Sequence, residues 1–227
     1  AALDHINQLL LEPPDPATKE LATAERVPSQ PFQALVFKDV RFRYTSEGDE
    51  ILKGISFTIQ RGQTLAIVGP SGSGKSTLIR LLIRAYHGYS GSITINGEEL
   101  SSITASRLNR LMAVVHQSVF LFKGSVAFNI GLDRPGVTAE RIAEVARYVN
   151  ADQFIQKLPE AYNTEIAPGG ANLSGGQAQL LAMARAVAED TDLIILDEAT
   201  SSVDSITENL IQQNLIQQDT GLPFRFP

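Results

Sequence analysis

The stretch GPSGSGKST, residues 69–77, combines glycines, hydroxyl side chains and one lysine at a spacing that suits phosphate binding. It follows the apolar run TLAIV and precedes STLIRLLIRAY, so a strand before it and a helix after it are predicted. Gly72 and Gly74 allow the backbone to turn so that successive N–H groups point inward. The helix would present its positive N-terminal end to an anion. The alternative is a flexible glycine turn with a solvated lysine.

Each polar side chain of this loop has a distinct expected role. The Lys75 ammonium can reach the outer phosphates of a nucleoside triphosphate, and the Ser76 hydroxyl can ligate Mg²⁺. The loop residues expected to bind the nucleotide are Gly69, Ser71, Gly72, Ser73, Gly74, Lys75, Ser76 and Thr77.

A second candidate site is the stretch DLIILDE, residues 192–198, which ends in two adjacent carboxylates. The apolar run predicts a buried strand, which would place Asp197 and Glu198 at one rim of a sheet. Asp197 can hold the Mg²⁺ that bridges the outer phosphates. Glu198 can accept a proton from an attacking water. Taken alone, the same pattern is also typical of an ordinary strand end.

A third stretch, LSGGQ at residues 173–177, also precedes a predicted helix and forms a second anion site. With this motif the sequence resembles the nucleotide-binding cassette of ABC proteins, in which LSGGQ lies between the Walker A match (69–77) and the Walker B match (192–198). Gln117 falls at the family's Q-loop, and SSVD (201–204) resembles its D-loop. The resemblance covers roughly residues 34–215.

The resemblance implies a head-to-tail dimer of two cassettes, each closing on the ATP bound by the other. The residues that would contact the partner's ATP, by this resemblance, are Ser174, Gly175, Gly176, Gln177 and Asp204. Gln117 would contact the metal or the attacking water. Tyr44 would stack on adenine as the A-loop aromatic, although it also fits a plain core aromatic.

Two further stretches resemble exporters of this family. ATSSVDSITE, after the Walker B glutamate, is similar to the exporter sequence, and AALDHINQLLLEPP resembles the segment that joins the last membrane helix to the cassette. The resemblance implies ATP hydrolysis coupled to efflux through transmembrane domains, at the cytoplasmic face of a membrane. The alternatives are a cassette that binds ATP without hydrolysing it, and a non-transport ABC ATPase.

The predicted fold class is α/β. The resemblance implies a P-loop NTPase cassette with a RecA-like core containing a parallel sheet, an antiparallel β subdomain, and an inserted helical subdomain at about residues 125–190. Residues 1–33 are predicted to be a helix and a Pro-rich linker, and residues 34–227 the nucleotide-binding domain. The predicted strands are 40–44, 51–60, 64–69, 91–100 and 192–197, and in the first of them Val40, Phe42 and Tyr44 alternate with arginines. The predicted helices are 1–12, 138–158 with Thr138 as N-cap, 205–218, and the part of 173–190 that follows an initial turn.

Composition excludes several other classes of protein. The net charge is −6 and no basic block is present, which argues against a nucleic-acid partner. The chain has no cysteine, so disulfides and thiolate metal sites are excluded. Its three histidines are widely spaced, and no apolar run approaches the roughly 18 residues of a membrane helix.

One part of the family pattern has no match here. The family has a further strand after the D-loop helix, ending in a histidine that contacts the γ-phosphate, and no histidine follows Asp204. We therefore expect a fragment of a longer transporter. That strand would lie between the two apolar strands, so we expect either a gap between them or direct pairing of 64–69 with 192–197.

Overall fold

The computed structural model describes residues 31–189 and 191–197. The predicted helices 1–12 and 205–218, Glu198 and Asp204 lie outside these residues. The strands are β1 (Ala34–Phe42), β2 (Leu52–Gln60), β3 (Ser90–Ile95), β4 (Glu98–Glu99), β5 (Met112–Val115), β6 (Gly124–Ser125), β7 (Glu165–Ile166) and β8 (Leu193–Leu196). The α-helices are α1 (Lys75–Leu82), α2 (Ala105–Leu111), α3 (Val126–Gly131), α4 (Ala139–Tyr148), α5 (Asp152–Ile155) and α6 (Gly175–Ala188). Short 3₁₀ turns cover Leu100–Ser102, Ala161–Asn163 and Pro168–Gly170.

An antiparallel sheet in the order β2-β1-β3-β4 forms the first layer. Alternating apolar residues of β1 are buried, so this stretch forms a half-buried strand. The strand predicted over 40–44 therefore begins earlier, at Ala34, and ends at Phe42, and Tyr44 lies beyond it. A bulge at Asp39, whose φ is 45°, shifts the alternation by one residue. The prediction of a single strand over 91–100 is wrong. Asn96 and Gly97 both have positive φ and turn the chain into the hairpin β3–β4.

The second sheet is a parallel pair. β5 pairs with β8 from Met112↔Leu193 to Val115↔Leu196, so the strand predicted at 192–197 is confirmed. The predicted burial of this strand on both faces is not confirmed, because residues 193–195 are only partly buried and Leu196 is exposed. The carboxyl ends of both strands lie at the same edge of this sheet.

The strand predicted over 64–69 is wrong. Residues 61–70 are exposed and lack strand geometry, and Val68 is 88% exposed. A strand is maintained by hydrogen bonds to a neighbouring strand, and none of the described strands pairs with this segment. The expected arrangements were a gap between 64–69 and 192–197 or direct pairing of the two segments. Direct pairing does not occur within the described residues, because the partner of β8 there is β5.

The helical region contains one correction. The helix predicted over 138–158 is two helices, α4 and α5, because Asn150 has a φ of 62° and breaks the helical path. The predicted N-cap is confirmed, since the Thr138 hydroxyl accepts a hydrogen bond from the Arg141 N–H at 3.3 Å. α6 confirms the helix predicted after LSGGQ. None of the helices within the described ranges is long and apolar enough to span a membrane.

Buried apolar side chains form two clusters. The first joins the antiparallel sheet to α1 and α2 and ends at Met112. The second begins at Ala113 and joins β5 to the helices α3, α4 and α6. β8 contributes to both, because Leu193 and Ile195 pack on the first cluster and Ile194 on the second. The parallel strand pair therefore lies between the two clusters.

A carboxylate with three donors stabilises the β3–β4 hairpin. Glu99 accepts hydrogen bonds from the Tyr89 hydroxyl at 2.9 Å, the Ser92 hydroxyl at 2.8 Å and the Ile93 N–H at 3.2 Å. Burial alone would raise the pKa of Glu99, but the hydrogen bonds from Ser92, Ile93 and Tyr89 together outweigh burial and lower that pKa below its usual value. The ionised form is therefore the one that the fold stabilises.

This arrangement predicts an acid-dependent loss of stability. The folded-state pKa lies below the unfolded value, so the contribution of Glu99 is present above the unfolded pKa and is lost as pH falls through the folded pKa. Urea unfolding of the wild-type chain and Glu99→Gln should show a constant difference in unfolding free energy between about pH 6 and 7. The difference should narrow below the unfolded pKa of about 4.3. A difference that grows toward acid would contradict this assignment.

Candidate functional site

The loop 69–75 is shaped by its glycines. Gly72 and Gly74 have φ of 80° and 94°, a region in which side chains are strained, and Gly74 is the N-cap of α1. A Cβ on Gly74 would lie 2.8 Å from Leu52 Cδ2. The loop turns through a hydrogen bond from Ser73 N–H to Pro70 O at 3.2 Å. Glycine at position 74 is therefore required by both conformation and space.

Lys75 is the first residue of α1, and its ammonium folds back over the loop. Nζ donates to Gly69 O at 2.8 Å and to Pro70 O at 3.0 Å. The positive charge is thus concentrated at the concave side of the loop, next to the N-terminus of α1. This arrangement is suited to an anion that can replace the two carbonyl oxygens.

Ser76 and Asp197 are brought together from opposite ends of the sequence. Ser76 Oγ lies 3.5 Å from Asp197 Oδ1, a long distance for a strong hydrogen bond. Both atoms are hard oxygen donors of the kind that Mg²⁺ prefers. They line a cavity of about 390 Å³ together with Arg80, Tyr86 and His116. The predicted proximity of the two motifs is therefore observed in the described residues.

Tyr44 reaches the same region from just beyond the end of β1. Its hydroxyl lies 2.8 Å from Thr77 Oγ1. Its ring packs edge-on against Phe42 and Tyr86, with centroids 5.1 Å apart in each case. The side chain is nevertheless 45% exposed, which leaves aromatic surface for a planar ligand. Thr77 is buried, so its hydroxyl serves to orient Tyr44.

Gln117 follows β5, and Asp197 follows β8. The Asp197 N–H donates to Val115 O at 2.9 Å, so the two chain segments leave the same edge of the parallel pair. Gln117 is exposed there. Sequence reasoning could anticipate this proximity only through the parallel pairing of the two strands.

Ser174 begins α6 with a reciprocal capping box. Its hydroxyl accepts from the Gln177 N–H at 3.2 Å, and its own N–H donates to Gln177 Oε1 at 3.0 Å. Ser174 and Gly175 are exposed. Both bonds of the capping box join residues of the LSGGQ turn. Likewise, both bonds of the Lys75 ammonium join it to carbonyls of the phosphate loop. The LSGGQ turn and the chain's own phosphate loop are therefore stabilised separately.

Two polar residues with a clear structural role were not anticipated from the sequence, Asn129 and Arg185. Asn129 is completely buried, and Arg185 contacts it across 56 residues of sequence. The available signal was the presence of one amide and one cation in otherwise apolar stretches, SVAFNIG and LLAMARAVA. Spacing alone does not pair them.

A groove of about 670 Å³ runs between β5 and the C-terminal half of α6. Phe120 and Phe122 line it and are 64% and 42% exposed. Arg134, Arg185 and Glu189 supply its polar rim. The groove is an exposed apolar surface beside the segment that follows Gln117.

Comparison with known proteins relates the chain to a large family. The family model described as "ABC transporter" matches residues 52–201. The chain is 44% identical over 190 residues to multidrug resistance protein pgp-1 of Caenorhabditis elegans, covering 82% of this chain and 14% of that protein. It is 40% identical over 207 residues to the ATP-dependent lipid A-core flippase of Chromohalobacter salexigens, covering 91% of this chain and 35% of that protein.

A solved structure shares the fold. A bacterial Atm1-family ABC exporter with ATP bound superposes with a TM-score of 0.76 at 36% sequence identity, covering 83% of this chain and 34% of that chain. The matched part of the chain therefore spans about a third or less of the length of each of these proteins.

Proposed function

The chain belongs to the ABC transporter family, and we propose that it is the ATP-binding and ATP-hydrolysing part of an exporter. The observation that carries the proposal is the convergence of the Lys75 ammonium, the Ser76 hydroxyl and the Asp197 carboxylate at the start of α1. Those groups match the needs of a triphosphate and its metal. The relatives named as a multidrug resistance protein and a lipid A-core flippase support the choice of export.

ATP would bind with its phosphates in the loop 69–77. Lys75 would release Gly69 O and Pro70 O and bind the outer phosphates, while the N–H groups of the loop and α1 bind the remaining oxygens. Tyr44 would stack on adenine, since its ring is partly exposed beside Thr77.

Ser76 and Asp197 would hold Mg²⁺, with Gln117 near it at the same sheet edge. The 3.5 Å approach of their oxygen atoms supports this assignment. Bound there, the metal would neutralise charge on the transferred phosphoryl group. Within residues 31–189 and 191–197 no cluster of three acidic or histidine side chains offers an alternative metal site.

Hydrolysis requires a group that orients and deprotonates water. We assign this role to Glu198, which follows Asp197 directly in sequence, and assign Gln117 to positioning the water or the metal. Ser174, Gly175, Gly176, Gln177 and Asp204 would contact the ATP of a second cassette in a head-to-tail dimer. The exposed position of the LSGGQ turn, stabilised apart from the chain's own phosphate loop, supports a partner in trans.

The other partner would be the transporter's transmembrane domains. We assign residues 34–227 to the cassette, with a helical subdomain at about 125–190, and residues 1–33 to the connection with the membrane part. The groove lined by Phe120 and Phe122 is the surface we assign to those domains, because it combines exposed aromatic rings with a polar rim. The cassette would then lie at the cytoplasmic face of a membrane.

Thermal unfolding with and without Mg-ATP tests the proposed function. A ligand that binds only the native state raises the midpoint, by about 2.7 kcal/mol of stability at a hundredfold excess over Kd. For a chain of this size, that corresponds to a rise of about 5–10 °C. Mg-AMP, which lacks the outer phosphates, serves as the control and should give a much smaller rise. Equal midpoints with Mg-ATP, Mg-AMP and no ligand would contradict nucleotide binding.

A further inference from the structure

We propose that Arg185 is a positioning residue for ATP hydrolysis, which fixes the segment following Gln117 to the helix that begins at LSGGQ. The inference rests on the proposed function, and it adds a physical link between two parts of the site that the motifs leave unconnected. Arg185 lies in the last turn of α6. Its hydrogen bonds go to Phe120 and Asn129, not to the phosphate loop or to the residues assigned to the metal.

The guanidinium of Arg185 uses all three of its nitrogens. Nη1 donates to Phe120 O at 3.0 Å, Nε donates to Asn129 O at 2.8 Å, and Nη2 donates to Asn129 Oδ1 at 3.2 Å. Its Cζ lies 5.6 Å from the centre of the Phe122 ring. One planar cation therefore fixes the backbone of the segment three residues beyond Gln117.

Asn129 completes the attachment from α3. Its Oδ1 accepts from the Phe122 N–H at 2.9 Å, and its Nδ2 donates to Phe122 O at 2.9 Å and to Ser125 O at 3.1 Å. This side chain pairs with the backbone as a neighbouring strand would. Asn129 is fully buried, so losing its bonds to the Phe122 backbone is costly. The bond from Arg185 to Phe120 O is exposed and adds a second attachment to the same segment.

Two charged side chains, Arg134 and Glu189, act on the Arg185 guanidinium in opposite directions. Burial lowers the pKa of Arg185, and Arg134 lowers it further, while Glu189 opposes both effects. Glu189 also forms an ion pair with Arg134. The network thus contains two cations and one carboxylate. An apolar side chain at 185 would leave the Phe120 and Asn129 oxygen atoms without this donor.

The link has a mechanical basis. α6 is one continuous helix of 14 residues from Gly175 to Ala188, capped by Ser174. At 1.5 Å per residue, about 16 Å separate Ser174 from Arg185 along the axis. A displacement of the LSGGQ turn would therefore be passed along α6 to the segment 120–122, and from there to Gln117. ATP would still bind, because the phosphate loop leads into α1, which packs in the other hydrophobic cluster.

The test compares the wild-type 227-residue chain with Arg185→Met and Arg185→Lys in steady-state ATPase and Mg-ATP binding assays. We expect Arg185→Met to lower kcat at least tenfold, with KM and Mg-ATP affinity within about twofold of wild type. Arg185→Lys keeps the charge but not the planar fork, so we expect a smaller loss of kcat, about threefold. Arg147→Met, which removes an exposed arginine of α4, is the matched control and should leave both constants unchanged.

Amide exchange and thermal unfolding accompany the kinetics. Exchange at residues 118–122 should accelerate in Arg185→Met, while exchange in α1 stays at the wild-type rate. If Arg185→Met does not fold, Arg185→Lys alone decides the question. If the folded Arg185 variants have the wild-type kcat, with or without a rise in KM, this inference is wrong and the proposed function still stands. A wild-type chain that neither binds nor hydrolyses Mg-ATP overturns the proposed function, and this inference with it.

Discussion

Replacing Lys75 by alanine is expected to weaken Mg-ATP binding by about 100-fold. The ammonium is the one loop side chain whose charge would pair with the outer phosphates, and hydrogen bonds to charged groups contribute up to about 3 kcal/mol. The same substitution removes the two bonds to Gly69 O and Pro70 O. ATP binding would break these bonds in any case, so the expected loss of affinity reflects the missing contact with the phosphates. Isothermal titration or the thermal shift with Mg-ATP measures the change.

Two control variants separate charge at the loop from other effects. Lys53→Ala removes an exposed lysine from β2 and should leave the affinity at the wild-type value. Glu198→Gln removes the proposed base and should retain binding while abolishing turnover. Similar losses of binding in Lys75→Ala and Glu198→Gln would show that the roles assigned to these two residues are wrong.

Replacing Gly91 by alanine is expected to lower stability by about 3 kcal/mol. Gly91 has a φ of 85°, and a Cβ there would lie 2.3 Å from Asp39 O and 2.5 Å from Lys38 O. The conformational strain costs about 1–2 kcal/mol, and overpacking against backbone adds a similar amount. The expected fall in midpoint is about 6–12 °C, measured by thermal unfolding.

Gly88 provides the matched control three residues earlier. Its φ of 81° is nearly the same, but a Cβ there would have nothing within 4 Å. Gly88→Ala should therefore show only the conformational cost, about 1 kcal/mol and a fall of about 2–4 °C. Equal destabilisation by the two alanines would mean that the contact with the β1 bulge contributes nothing.

Local signals predicted much of the fold. The N-cap at Thr138 and the helix after Ser174 depend on neighbours within a few residues, and the structure confirms both. The strand predicted over 40–44 is confirmed only over 40–42, since β1 runs from Ala34 to Phe42. The strand predicted over 64–69 is wrong. The apolar composition of this segment is typical of a strand, but a strand also needs a neighbouring strand to pair with, and composition does not show whether one is present. The split at Asn150 was missed because one left-handed residue ends a helix without disturbing its apolar periodicity.

The site was predictable to the extent that its residues belong to motifs. Lys75, Ser76 and Asp197 carry their chemistry in their own spacing. Their expected convergence relied on a strand over 64–69 that is not observed; the approach of Ser76 to Asp197 instead accompanies the packing of α1 and β8 in one hydrophobic cluster. Glu198 and Asp204 lie outside the described residues and stay predictions. Asn129 and Arg185 could not be paired in advance, because their contact depends on how α3 and α6 pack.

The position of the parallel strand pair between two hydrophobic clusters has a consequence for cooperativity. Met112 packs on one cluster and Ala113 on the other, so neighbouring residues of a single strand belong to different cores. Regions that share few buried contacts open with separate free energies. Ligand energy gained at α1 therefore stabilises the sheet-containing unit directly. Within the described residues it reaches the helical unit through β5 and β8, and their four paired positions determine how far the two units unfold together.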